Sequence, residues 1–462
     1  MTPDEFRTAS ARFADWVARY HERVGDLPVQ PDIAPGWVRA QLPASPPEQP
    51  EPIDDVLVDL DRVVLPALTG WQSPGWYAYF PGNTSFPAIL GDLVSSGVGQ
   101  QGMLWATSPA CTEVEAHVLD WVVELLGLPN RFRSSGPGGG VIQDSASSAT
   151  LCALVAARER ATRTGVAIGD LVAYTSSDAH SSVAKGARVA GLRDDQLRLV
   201  DVDAERAMRP EALAAAIGAD RAAGRSPFFV VATSGTTSTC AFDPLDAIGS
   251  ITEREQVWLH VDAAFAGSAA VCPELRWVHD GLERADSYAF NPHKWLFTTF
   301  DCDCFYVADR SSLIDALSIT PEYLRNAASE SGEVIDYRDW QIPLGRRFRA
   351  LKLWFVIRHY GAEGLRHHIR EHVRIAQGLA ARIGADERFD VLTPPRLSLV
   401  CFAHHDGDAA TEALLAALNA TRRVHLTGTR VGERQAIRVA VGSAWTEEHH
   451  LDDLWSLLDA NA

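Results

Sequence analysis

The chain has 462 residues, 46% of them hydrophobic, and a formal net charge of −18. That length suits two domains with an N-terminal extension, and that hydrophobic fraction suits a substantial core. The acidic balance excludes nucleic acid and anionic membrane as partners, because both need a basic face. No apolar run approaches the length of a membrane span.

No basic-then-apolar leader pattern opens the chain. The seven cysteines (Cys111, Cys152, Cys240, Cys272, Cys302, Cys304 and Cys401) have no compact spacing and read as reduced thiols. The expectation is a cytoplasmic protein. Three residues among the 42 basic ones are lysine: Lys185, Lys294 and Lys352. Arginine has taken lysine's ordinary surface roles, but it cannot replace an amine that must lose a proton and attack a carbonyl.

Residues 1–27 have helical periodicity, with Phe6, Phe13, Trp16, Val17 and Tyr20 on one side. A proline-rich connector at 43–52 precedes a predicted helix over 53–66. Residues 71–87 are rich in aromatics, glycine and proline, as in a loop lining a pocket or an interface. A helix is predicted over 110–127. Gly138-Gly139-Gly140 leads into a strand at 141–143, then a turn, then a helix over 147–163. Strands recur at 170–175, 228–233, 257–261 and 302–307 with helices between them, the pattern of a mostly parallel sheet covered on both faces. Residues 349–385 read as a long helix, or as two with a break near Gly361 and Gly364. Strands near 389–403 and 436–442 and helices at 409–419 and 446–460 make a small α+β domain. The expected division is 1–85, 86–370 and 371–462.

Five short motifs fall at strand ends in this reading. The turn Asp144-Ser145-Ala146-Ser147-Ser148 can offer backbone N–H groups and hydroxyls to a phosphate; an ordinary serine N-cap explains it as well. His180 follows the strand at 170–175, where open α/β sheets bind ligands; a loop histidine with satisfied partners is the plainer reading. Thr233-Ser234-Gly235-Thr236-Thr237 is a second hydroxyl-rich turn. Asp262 ends an apolar strand, costly unless paired, and a protonated pyridine nitrogen or a structural hydrogen bond would pair it. In Asn291-Pro292-His293-Lys294-Trp295 the proline forces Asn291 to be extended and makes a tight turn at Lys294. A lysine amine with an upstream carboxylate is what a pyridoxal phosphate (PLP) site requires. Lys185 and Lys352 have no aspartate-ended strand before them in that order. The pairs His367-His368, His404-His405 and His449-His450 lack a completing ligand set, so no metal is expected.

With these residues assembled, the chain resembles the aromatic L-amino-acid decarboxylases, the group II PLP-dependent decarboxylases. The likeness is strongest at 73–87, 105–115, 180–183, 258–268, 291–301 and 336–361. It implies the fold type I of PLP-dependent transferases: an α/β architecture with a mostly parallel central sheet, an N-terminal helical extension packing on a partner subunit, and a small C-terminal α+β domain. It also implies a homodimer. Carried over residue by residue, it makes Lys294 the Schiff-base lysine, Asp262 the partner of the pyridine nitrogen, Ala264 the residue beneath the ring and His180 the residue stacked on it. Ala146, Ser147, Thr237, Asn291 and His293 fall around phosphate and ring. Tyr323 matches the tyrosine of a mobile catalytic loop and, with His180, a proton source.

The substrate stretch implied by the resemblance comprises Trp71, Tyr79, Phe80, Pro81, Gly82, Gln101, Met103, His180 and Gly345. Gly82 stands where animal members tend to carry threonine, and Gln101 and Met103 where they carry isoleucine and phenylalanine. Gly345 matches a glycine of indole-accepting members. Asp144 and Ser148 replace the more usual glycine and glutamate of the phosphate turn. The expected activity is decarboxylation of tryptophan, 5-hydroxytryptophan or phenylalanine to amine and carbon dioxide. An aldehyde synthase on the same scaffold is the alternative, opposed by Tyr323 and His180. A decarboxylase of glutamate, histidine or a diamine acid is opposed, for acidic substrates, by the absence of arginine from 79–103. A catalytically dead PLP-binding protein is opposed by the complete residue set.

Overall fold

The structure is a computed structural model that describes residues 1–319, Ala328 and residues 334–462. Among these, strands β1 (Gly139–Gln143), β2 (Leu171–Ser176), β3 (Leu197–Val200), β4 (Ser226–Thr233), β5 (Trp258–Asp262), β6 (Ser287–Phe290) and β7 (Asp303–Val307) form one sheet. Their spatial order is β1-β7-β6-β5-β4-β2-β3. The ladders from β3 through β6 are parallel, while β7 pairs antiparallel with both β6 and β1. The carboxyl ends of all strands except β7 therefore meet at one edge, the position of ligand sites in open α/β sheets.

Both faces are covered, which explains why β2 and β5 are buried along their whole length. On one face lies the helix Ala146–Thr162, whose Ala149, Cys152, Ala153, Ala156 and Ala157 pack with Val141, Ala173, Val231 and Phe305. These small side chains let the helix approach the sheet closely. On the other face Val118, Leu119, Val122 and Leu126 of the helix Pro109–Leu126 meet Ile142, Val172 and Leu259. β3 and β6, four residues each, have no counterpart among the sequence-based strands. Three of the four β3 residues are not fully buried, so no apolar run marks it. The helix Phe86–Val98, apolar on more than one side, was likewise not separated from its surroundings by periodicity.

The N-terminal helix Pro3–Arg23 starts at Thr2, whose hydroxyl accepts from Glu5 N while the Glu5 carboxylate accepts from Thr2 N. The long helix Ala350–Gly384 breaks at Gly361, where φ is 63° and only glycine is unstrained. A second sheet follows, built from β8 (Phe389–Val391), β9 (Leu399–His404), β10 (Thr427–Val431) and β11 (Arg434–Ala440) in the order β10-β11-β9-β8, all antiparallel. The helices Asp408–Ala420 and Glu448–Asn461 pack against it. All seven cysteines are buried, and none is in a disulfide. No helix among the described residues is long and apolar enough to cross a membrane.

One buried ion pair ties the segment before the long helix to the main sheet. Arg346 Nη2 lies 2.6 Å from Glu115 Oε1, and both side chains are almost wholly inaccessible. Arg346 also donates to Ile142 O and Gln341 Oε1, and its guanidinium lies 4.6 Å from the Tyr337 ring centre. Glu115 accepts in addition from Ile142 N at 2.8 Å. Removing one partner strands the other charge in a dry site. Glu115→Ala is expected to destabilise the fold by about 3–5 kcal/mol, read as a shift of the chemical-denaturation midpoint; a wild-type midpoint contradicts it.

Candidate active site

At the carboxyl edge of the sheet a cavity of 230 Å³ brings together Asp262, Ala264, Asn291, His293 and Lys294 from the β5 and β6 ends. From neighbouring turns come Ala146 and Ser147, His180, and Thr237. All nine expected cofactor residues thus line one space, although they span 149 positions from Ala146 to Lys294. Asp262 is 4% exposed, and its Oδ1 accepts from Ala264 N at 3.0 Å.

The lysine turn is built as the sequence predicts. Asn291 is extended (φ −105°, ψ 98°) ahead of Pro292, and a single helical turn, Pro292–Trp295, carries the lysine. Lys294 N donates to Asn291 O at 2.9 Å. Behind it Trp295 stacks on Phe265 at 4.5 Å, and Phe265 stacks on Phe80 at 3.9 Å. Trp295 Nε1 donates to His372 Nδ1 at 3.0 Å. This file of rings fixes the turn and supplies the cavity's aromatic wall. Lys294 Nζ lies 5.4 Å from the Phe80 ring centre.

At the other end the helix Ala146–Thr162 opens into the cavity. Its N-cap is Ser145, whose side chain accepts from Ser148 N. Unpaired N–H groups and the helix dipole favour an anion there. Gly235 in the threonine turn has φ 87°, and a Cβ on it would sit 2.6 Å from Ala266 Cβ, so the turn requires glycine. His180 sits on the rim. Ser182 N donates to His180 Nδ1 at 3.2 Å, which leaves the neutral ring's proton on Nε2. Burial lowers its pKa, the charge of Lys294 lowers it further, and Asp262 opposes both.

The expected substrate residues divide. Phe80 and His180 line the cavity. Trp71 and Tyr79, stacked at 5.9 Å, are exposed next to Pro81 and Gly82; a Cβ on Gly82 would lie 3.5 Å from Trp71. Gln101, Met103 and Gly345 are not among the cavity-lining residues of this chain. They form a paired strip instead: Gln101 Oε1 accepts from Arg346 N at 2.6 Å, Arg338 N donates to Met103 O at 3.0 Å, and a Cβ on Gly345 would lie 3.3 Å from Gln101 Nε2. Tyr323 lies outside the described residues.

Four further residues shape the site without having been expected. Asn83 donates to Lys294 O and to Gly442 O, both at 2.7 Å, and accepts from Ala444 N at 2.8 Å. It fastens the lysine turn to the C-terminal segment. Arg438 of β11 donates to Thr237 O at 2.8 Å and to Tyr79 O, and stands 4.8 Å from the Phe80 ring centre. Burial pushes it down to about 10. Phe300, 70% exposed, adds a ring 4.5 Å from His293. Asp303 is wholly buried behind the lining. Only the aromatic Phe300 carried a recognisable signal in the sequence; the others act through distant contacts.

Burial lowers the pKa of Lys294, with Asp262 and Asp303 opposing that shift and Arg438 adding to it. Burial also pushes His293 down to about 3, so its ring stays neutral and its Nδ1 accepts from Cys302 N at 2.9 Å. With three lysines in the chain, reductive methylation and peptide mass mapping read each amine separately. Lys294 is expected to become reactive with a pH midpoint below the ordinary lysine range; a midpoint at or above that range contradicts the electrostatics.

The donor set fits a flat, anionic aldehyde cofactor. There is an amine to bond its carbonyl, a carboxylate for a ring nitrogen, a helix N-terminus for a phosphate, and the buried Oγ1 of Thr233 and Oδ1 of Asn291 without partners among the described residues. Comparison with known proteins agrees. Residues 35–405 match the family model described as the pyridoxal-dependent decarboxylase conserved domain. The chain is 44% identical to an aromatic-L-amino-acid decarboxylase of Cavia porcellus, covering 98% of this chain and 97% of that one. It is 42% identical to a phenylacetaldehyde synthase of Arabidopsis thaliana, over 100% and 96% of the two chains. A solved structure of Oryza sativa TDC with PLP and tryptamine superposes with a TM-score of 0.98 at 41% identity, covering 100% of this chain and 98% of that one. The chain belongs to the pyridoxal-dependent decarboxylase family, whose members are PLP-dependent carboxy-lyases.

Proposed function

We propose that this protein removes carbon dioxide from aromatic L-amino acids, with tryptophan, 5-hydroxytryptophan or phenylalanine as substrates and the corresponding amine as product. The observation that carries the reading is one cavity in which a lysine amine of lowered pKa stands 5.4 Å from an aromatic ring and shares the lining with a buried carboxylate. The relatives named for aromatic substrates support it, as does the neutral, ring-rich stretch 71–82.

PLP supplies a carbonyl carbon that condenses with amines and a conjugated ring that accepts the electron pair left when carbon dioxide departs. In this reading Lys294 would hold the cofactor through its amine. Asp262 holds a proton on the ring nitrogen; its low exposure strengthens that pairing. The N-terminus of Ala146–Thr162, with Ser147, Thr237 and Asn291, holds the phosphate. His180, kept neutral and fixed by Ser182, presents a flat ring to the cofactor and a proton on Nε2. Tyr323 delivers the proton to the substrate's Cα, a role that rests on the resemblance alone.

The reading includes a cytoplasmic homodimer divided as 1–85, 86–370 and 371–462. Supporting the dimer are apolar residues left exposed on the helix Phe86–Val98, namely Leu90, Leu93, Val94 and Val98. The separation of Gln101, Met103 and Gly345 from this chain's own cavity also favours a second copy as the one they serve. Sedimentation of the purified protein is expected to give twice the chain mass; a monomer that is fully active contradicts the dimer.

A panel of L-amino acids assayed for carbon dioxide and amine tests the activity. Aromatic substrates are expected to yield the two in equal amounts. Lys294→Ala is expected to abolish turnover, and Tyr323→Phe to lower amine formation by about 100-fold or more, the scale of a lost general acid, with cofactor still bound. Aldehyde, ammonia and peroxide in place of amine would establish the aldehyde synthase instead, and turnover confined to acidic or basic substrates would discard the aromatic assignment.

A further inference from the structure

Asp303 is a buried titratable group beside the cavity that the reading above does not use. It is 0% exposed, and neither carboxylate oxygen has a hydrogen-bond partner among the described residues. An ionised carboxylate without a donor in a dry site is among the costliest arrangements a fold can hold. A neutral carboxylic acid is cheaper, and it carries a proton that needs an acceptor.

The sheet register supplies one. Phe290 pairs with Cys304 across β6 and β7, so Asn291 and Asp303 are the next residues in line, on the same face. On the other side Gln143 pairs with Asp303 across β1 and β7. Gln143 is already used: its Oε1 accepts from Cys152 Sγ and its Nε2 donates to Trp340 O. Asn291 is not. It lines the cavity, and its Oδ1 is buried with no partner among the described residues.

We propose that Asp303 is a positioning residue for the cofactor's phosphate: held as the neutral acid, it donates its proton to Asn291 Oδ1 and so keeps Asn291 Nδ2 turned into the cavity. This rests on the reading of Asn291 as a phosphate contact. An ionised Asp303 would reverse the amide. Nδ2 would turn to the carboxylate, and Oδ1, an acceptor, would face an anion.

The surroundings favour the neutral form. Burial holds the Asp303 carboxyl well above the usual carboxylate range, and Asp262 from β5, Cys302 beside it and Asp144 from the phosphate turn push the same way. Lys294 alone of the groups acting on it opposes them. An ionised Asp303 would also act on Cys152 from the helix Ala146–Thr162, Cys304 of β7 and Tyr288 of β6. A phosphate brought to the cavity adds negative charge and raises the carboxyl further. Phosphate affinity should therefore be full while Asp303 is protonated and fall as pH rises through its pKa.

Dissociation constants for PLP and for pyridoxal, which lacks the phosphate, test this with full-length protein stripped of cofactor and titrated across pH. Asp303→Ala is expected to weaken PLP about tenfold, the scale of one lost hydrogen bond, and Asp303→Asn to stay within about threefold of wild type. Pyridoxal affinity should be the same in all three proteins. The alkaline fall specific to PLP should be present in wild type and absent from Asp303→Asn. Asp303→Asn separates the proposal from a folding defect, because it keeps shape and a donor without a titrating proton. Loss of PLP affinity in Asp303→Asn, equal losses for PLP and pyridoxal, or an unchanged alkaline fall in Asp303→Asn would each overturn it. These readouts concern cofactor binding alone, so they stand apart from which amino acid is decarboxylated.

Discussion

Charge kept out of water is the constraint on which the rest of this structure depends. Lys294, Asp262 and Asp303 act on one another across a region that excludes most solvent. Burial draws the lysine towards its neutral amine and Asp303 towards its protonated form. The neutral amine is the nucleophile that carbonyl chemistry requires. The fold must hold these groups together while offering them few partners, so that a ligand completes their hydrogen bonding.

The parallel sheet does this by geometry. Strands that run in one direction put their carboxyl ends on one edge, and residues remote in the chain become neighbours there. That edge would still be a set of loose loops without the C-terminal sheet. Arg438 reaches from β11 to the carbonyls of Thr237 and Tyr79, and Asn83 bonds the lysine turn and Gly442 together. The stack of Phe80, Phe265 and Trp295 then makes the turn rigid from the core side. Precision in the site comes from this supporting layer, because residues on turns are otherwise the least well-held parts of a sheet protein.

Much of this was legible in the residues. The strands at 170–175, 228–233, 257–261 and 302–307 each fall within a residue or two of their observed limits, because fully buried strands read as apolar runs bounded by turns. The break in the long helix falls at one of the two glycines named for it. β3, β6 and β10 were not legible. Each is short, and β3 and β10 lie at sheet edges with incomplete burial, so neither alternation nor an apolar run marks them. Asn83 and Arg438 were silent for another reason. An asparagine near a proline-rich loop and an arginine in a strand look ordinary until their distant partners are known.

By itself the sequence determined the order of chemistry along the chain: a phosphate turn, a histidine, a threonine turn, an aspartate-ended strand and then a lysine. Those are local facts, set by residue type and spacing, and they were enough to single out Lys294 from three lysines. The tertiary structure alone decided which groups share a dry space and which are left unpaired in it. Burial and register depend on contacts between segments far apart, as when the β6–β7 register puts Asp303 in line with Asn291 or Arg346 buries itself against Glu115. No local pattern encodes such contacts, because their energy belongs to the pair and not to either residue.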